Sequence, residues 1–193
     1  MDEWLFHILN GQCHNSFFDA VIPYWRSKYV WIPLYVFIAS FLLINWKKRG
    51  LLVLLFTIAT IGVADFTSSK IVKPLVQRIR PCNDATLTFE VRELVKCGGG
   101  YSFTSSHATN HFAIAAFLII VLSVFRRKWM SWALLAWATS IAYGQVYVGV
   151  HYPLDVVAGA ILGSFIGITF ANIYQRWTAD GRFGGRQTAN EGR

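Results

Sequence analysis

The sequence predicts an all-α fold: a polytopic helical membrane bundle of about five transmembrane helices, preceded by amino-terminal helices at the membrane interface. Three observations predict it. Of 193 residues, 54% are apolar and only 15% charged, against about a quarter charged in soluble domains. The apolar residues gather in runs near the ~20 residues that cross a bilayer, rather than alternating or forming narrow helical stripes. Eight Trp and eight Tyr are present, several of them at run ends, where amphipathic rings settle at the membrane surface.

The runs are Tyr29–Trp46, Leu51–Ser69, His107–Phe125, Trp129–Val150 and Tyr152–Tyr174. Five buried helices of a soluble protein would leave too little polar sequence to cover their core, which argues against that class. Trp25, Tyr29, Trp31, Trp46, Trp129 and Tyr174 lie near predicted helix ends. The segment Asp2 to Ser27 is interrupted by Asn10, Gly11, Gln12, His14 and Asn15, so it is read as one or two short interfacial helices. Met1-Asp2-Glu3 lacks the basic start of a cleavable signal peptide. One domain is expected over residues 1–177, and the Gly-rich polar tail, 178–193, is expected to be disordered.

Basic residues set the orientation. Lys47, Lys48 and Arg49 follow the first run, Arg126, Arg127 and Lys128 the third, and Arg176 the fifth. With five spans these share one face, which the positive-inside rule makes cytoplasmic. The segment from Lys70 to Ser106 and the turn near Val150 to Pro153 then face outward. The outer segment is itself basic, with Lys70, Lys73, Arg78, Arg80, Arg92 and Lys96 spread among acidic residues and Pro, as a binding site would be. The net charge of +8 therefore divides between topology and an anionic ligand, and no nucleic-acid partner is expected.

Cys82 and Cys97 lie 15 positions apart in the outer segment, where an oxidising compartment would let them pair. Two unrelated thiols are the alternative. A zinc site is disfavoured because the nearby histidines lack metal-ligand spacing. Cys13 has no evident partner.

Three polar clusters interrupt the apolar text at the outer ends of runs. In the first, a helix would bring Lys73, Gln77 and Arg80 onto one cationic strip ended by Pro81, suited to phosphate oxygens. Taken alone, ordinary snorkelling of interfacial cations is the favoured reading. In the second, Gly98 to His107 joins a Gly- and Ser-rich loop to a helix start, whose free N–H groups attract an anion; a Ser helix cap is the plain reading. In the third, His151, Pro153 and Asp155 open a helix, with the carboxylate one turn beyond the imidazole and able to fix its tautomer. An Asp there could simply complement the helix dipole, yet an ionisable pair ending an apolar hairpin points to function.

Together these clusters resemble the phosphatidic acid phosphatase type 2 superfamily. Its pattern is K-x6-R-P, then P-S-G-H, then S-R-x5-H-x3-D. Here it reads Lys73…Arg80-Pro81, Thr104-Ser105-Ser106-His107 and Gly144-Gln145…His151…Asp155, over 83 residues. The resemblance implies catalytic roles for His151 as nucleophile, Asp155 as its orienting partner, and His107 as acid and then base. It assigns phosphate binding to Lys73, Arg80, Ser105, Ser106 and the position of Gln145, with no metal and no other cofactor. It implies a multi-pass enzyme of a bacterial cytoplasmic membrane, acting at the outer leaflet on a lipid phosphate or pyrophosphate, with undecaprenyl diphosphate slightly favoured. A phosphotransferase and a lipid-phosphate binder without turnover are the alternatives. Gln145 replaces the pattern's arginine, removing a charged donor worth on the order of 1.5–3 kcal/mol; Arg78, Lys70 and Lys96 are the candidates to replace it. Asp65, the main carboxylate inside a run, is expected to support the bundle by hydrogen bonding.

Overall fold

The computed structural model describes residues 1–122 and 128–179, and among these every regular element is helical. Helix α1 (Asp2–Phe6) continues into a π-helical turn, His7–Gln12. Asn15 then caps α2 (Ser16–Trp25), its side chain accepting from the Phe18 amide at 2.9 Å. These short helices match the interrupted polar text at the amino terminus. The tail expected to be disordered falls almost wholly outside the described residues, α7 ending at Ala179.

Helix α3 (Ile32–Phe66) is two apolar segments joined at Lys47, whose φ of 48° breaks the helical path. A straight helix would separate Leu42 from Gly50 by about 12 Å. Instead, the Leu42 carbonyl fills the space a Gly50 side chain would need. Leu42 and Val53 also share one core cluster with Phe117 and Ala171. The chain therefore reverses at the Lys47–Arg49 triplet, so the first two predicted runs form a hairpin. The stretch Ile32–Val76 and helix α7 are long and apolar enough to cross a membrane, and α5 is a shorter apolar helix.

After α3 come a π-turn (Thr67–Val72) and the single turn α4 (Lys73–Val76). The sequence reading is corrected here. Gln77 is left-handed (φ 54°) and closes the helix, while Arg80 is extended (φ −74°, ψ 148°), as a residue before proline must be. Lys73, Gln77 and Arg80 therefore do not form a helical strip. After a 3-10 turn, Pro81–Asn83, the chain runs without regular structure to Ser105, stapled by a Cys82–Cys97 disulfide with Cα atoms 5.9 Å apart. Cys13 is free and exposed.

Helices α5 (Ser106–Val121), α6 (Lys128–Tyr147) and α7 (Pro153–Ala179) complete the bundle. Gly159, Gly163 and Gly167 recur every fourth residue on α7 and press against the carbonyls of Ser105, Thr109 and Ala113. Small residues permit such backbone contact where no hydrophobic effect drives helices together. The outer surface is apolar: Ile44 is 73% exposed, Ile161 67% and Phe165 69%. Side chains of this kind on every flank suit a hydrocarbon solvent rather than water. Asp65 accepts a hydrogen bond from Asn110 Nδ2 at 3.0 Å, though its own side chain is exposed rather than interior.

The α5–α7 contact yields a stability prediction. Gly163→Val should cost 1–3 kcal/mol or more through overpacking (roughly, as for forced core insertions), read as a lower unfolding midpoint in detergent. Gly62→Ala, on α3 with open space around it, should leave the midpoint equal or slightly higher.

Candidate active site

All three polar clusters meet at one end of the bundle, around a cavity of about 490 Å3. Lys73 and Arg80 enter it from the chain beyond α3, Ser106 and His107 from the head of α5, Gln145 from the end of α6, and His151 from the turn before α7. Ser105 lies beneath it, fully buried. Its hydroxyl accepts from the Ala108 amide at 3.5 Å as the α5 cap, and its own amide donates to the Asp155 carbonyl at 3.0 Å. Ser106 faces the cavity, its hydroxyl 2.7 Å from that of Ser68 on α3's continuation.

The imidazole of His151 is nearly fully buried. Arg80 Nη1 lies 3.3 Å from its Nε2, and a guanidinium can only donate. Nε2 must therefore carry the lone pair and Nδ1 the proton. Nδ1 is 3.5 Å from Asp155 Oδ2, with no closer partner. That spacing is long for a hydrogen bond. Burial, helped by the charges of Arg80 and Lys73 and opposed by Asp155, lowers the His151 pKa to about 4. Near neutral pH it therefore presents an uncharged nitrogen to the cations.

Asp155 is held on every side. Oδ1 accepts from Arg78 Nη1 at 2.8 Å and Oδ2 from the Tyr152 amide at 2.9 Å. Arg78 also donates to Asp2 Oδ2 at 2.6 Å and lies 3.9 Å over the Tyr152 ring. The other Asp2 oxygen accepts from the Leu154 amide at 3.0 Å, so α1 helps to cap α7.

The cations are placed by backbone carbonyls. Lys73 Nζ donates to the Tyr101 carbonyl at 2.8 Å. Arg80 donates from Nε to the Gly100 carbonyl (3.3 Å) and from Nη1 to the Val150 carbonyl (3.2 Å). Three glycines, Gly98 to Gly100, line the rim, and Gly100 takes a positive φ of 76° that an L side chain would resist.

Of the three candidates to replace the missing arginine, Arg78 is committed to Asp2 and Asp155, Lys70 is exposed and absent from the cavity wall, and Lys96 lines it. Arg26, at the end of α2, also lines the cavity, and its Nε donates to Gln145 Oε1 at 3.1 Å. Sequence reasoning missed it. An arginine after Tyr24-Trp25 reads as an interfacial anchor, and nothing local connects it with a residue 119 positions away.

Residues 50–179 match the PAP2 superfamily pattern. The chain belongs to the PAP2 superfamily, whose phosphatases hydrolyse phosphoester bonds of lipids. It is 37% identical over 182 residues to a lipid A 4'-phosphatase of Bacteroides thetaiotaomicron, spanning 93% of this chain and 79% of that protein. It is 34% identical over 143 residues to an undecaprenyl-diphosphatase of Sulfolobus acidocaldarius, spanning 72% and 61%. Among solved structures, a transmembrane PAP2-type phosphatidylglycerolphosphate phosphatase from Bacillus subtilis superposes with a TM-score of 0.67 at 22% identity, covering 95% of this chain and 87% of its own. This PAP2 chain shares that fold.

The Asp155 network carries a prediction for this PAP2 chain. Arg78→Gln should lower kcat by on the order of tenfold through loss of a charged hydrogen bond, with KM for a lipid phosphate nearly unchanged. Lys70→Gln should leave both constants at parental values. Steady-state kinetics of the two variants in detergent test this.

Proposed function

We propose that the protein is a metal-independent phosphatase of a lipid-anchored phosphate monoester, of the lipid A kind, working through a phosphohistidine. One observation carries the reading: His151 is backed by Asp155 through Nδ1 and directs its Nε2 lone pair at Arg80, in a cavity that also holds Lys73 and His107 and no carboxylate on its wall.

The lone pair of His151 Nε2 attacks phosphorus, and the P–O bond to the lipid breaks. His107, held as the imidazolium by the negative charge of the bound phosphate group, gives its proton to the departing oxygen, while Asp155 stabilises the imidazolium that forms at His151. His107, now neutral, takes a proton from water as that water attacks the phosphohistidine, releasing phosphate and restoring His151. Lys73, Arg80 and the amides at the head of α5 bind the oxygens as charge builds in the transition state. Ser106 contributes through its amide, and Ser105 through the helix cap, its own amide being engaged by the Asp155 carbonyl.

Residues 1–177 act as one domain in this reading. The basic sites Lys47–Arg49, Lys128 and Arg176, with Arg126 and Arg127 outside the described residues, support by the positive-inside rule a reading in which the cavity opens on the outer face of a cytoplasmic membrane. The 37% identity to a lipid A 4'-phosphatase over 93% of the chain favours a phosphorylated glycolipid. Undecaprenyl diphosphate is the second reading, supported by the 34% identity to an undecaprenyl-diphosphatase and by the many cavity cations.

Phosphate release from lipid A, undecaprenyl diphosphate, phosphatidate and phosphatidylglycerol phosphate in detergent with EDTA tests both readings. Release is expected, greatest for lipid A, and His151→Ala should abolish it, a loss of at least about 1000-fold for removal of a covalent nucleophile. Release that requires added metal, or that survives in His151→Ala, would refute the mechanism.

A further inference from the structure

We propose that Arg26, at the end of α2, is a phosphate-binding residue of this cavity, and that Gln145 is the positioning residue that aims it. The inference rests on reading the cavity as a phosphate site, and it names a ligand that no local motif contains.

Gln145 is fully buried. Its Nε2 donates to the Ile141 carbonyl one turn back at 3.2 Å. That bond fixes the amide, leaving Oε1 as a buried acceptor that needs a donor. Arg26 Nε meets it at 3.1 Å. Only one of the five guanidinium donors is thereby used. Both terminal nitrogens of Arg26 are without a hydrogen bond among the described residues, on a side chain that lines the cavity with Arg80, His107 and His151.

The surroundings of Arg26 differ from those of the arginines outside the cavity. Arg78 and Arg92 each reach a carboxylate, whereas Arg26 has no ion pair among the described residues, and the cavity wall it belongs to contains no Asp or Glu. Burial, and then the like charge of Arg80, lower its pKa to about 10. Two guanidiniums and two ammoniums, Lys73 and Lys96, thus line one wall, and Asp155, the buried carboxylate behind it that partly offsets Lys73 and Arg80, is itself paired with Arg78. A guanidinium forks onto two oxygens of a phosphate dianion, which supplies the missing charge.

The same contact accounts for both residues preceding the third cluster. A Cβ at Gly144 would stand 3.3 Å from Ile22 Cγ2 and 3.5 Å from Arg26 Cβ. Glycine there admits the last turn of α2, and glutamine at the next position receives its arginine. Gly144 and Gln145 therefore form one seat for Arg26.

The test uses the full chain in detergent, with orthophosphate as probe, so that it stands apart from the identity of the lipid. Arg26→Gln should weaken orthophosphate binding by on the order of 10- to 100-fold, the range of a charged hydrogen bond. Adding Gln145→Arg to that variant should restore part of the loss, because residue 145 then carries the guanidinium itself. Phenylglyoxal labelling mapped by mass spectrometry makes the same test without a substitution. Arg26 should label readily and be protected by orthophosphate, while exposed Arg176 labels equally with and without it. Orthophosphate affinity within twofold of the parent in Arg26→Gln, Arg26 labelling indifferent to orthophosphate, or no orthophosphate binding by the parent would each overturn the proposal. Protection of Arg26 in a protein that hydrolyses none of the lipids would sustain this inference and refute the proposed reaction.

Discussion

The site end of the molecule is organised around one buried carboxylate. Asp155 has no exposed surface, and an ionised carboxylate taken from water costs several kcal/mol per ion unless its oxygens are satisfied. The fold satisfies them from three directions: Arg78 from the chain beyond α4, the Tyr152 amide from the preceding turn, and His151 at longer range. The backbone carbonyl of the same residue accepts from Ser105 at the head of α5. One residue thus links three otherwise separate elements. Because Arg78 in turn needs Asp2, even the amino terminus is drawn into holding the imidazole in place.

The glycine stripe of α7 supplies the mechanical part of that arrangement. With Gly159 against the Ser105 carbonyl and Gly163 against that of Thr109, α5 and α7 touch backbone to backbone just below the cavity. His107, one residue into α5, and His151, two residues ahead of α7, consequently open onto the same space. Larger residues would separate the helix heads and with them the two imidazoles. Close packing and the placement of the histidines are therefore one property of the bundle.

Much of this was legible in the sequence because the polar clusters end apolar runs, and a run that crosses a bilayer must deliver its ends to one surface or the other. The basic triplet at Lys47–Arg49 likewise marked the hairpin. The course of 73–81 was not legible in full: periodicity suggested a continuing helix, and only the left-handed Gln77 ends it. Pro81 did carry a usable signal, since a residue preceding proline avoids helical geometry. The arginine partners of Asp155 and Gln145 were beyond local reading, because Arg78 and Arg26 reach them across 77 and 119 positions of chain.

The departures from the family pattern make the same point from the other side. Ser106 stands where the pattern has glycine, and its added hydroxyl is taken up by Ser68, 2.7 Å away on the continuation of α3. Gln145 stands where the pattern has arginine, and its carbonyl is taken up by Arg26 from α2. In each case the new polar atom meets a partner remote in sequence, so the substitution itself leaves neither atom unsatisfied, which for a buried group costs about 1–3 kcal/mol. A motif compared position by position registers only the loss. The folded site keeps its hydrogen-bonding balance and its cationic wall because the amino-terminal helices, which lie outside all three motif blocks, form part of it.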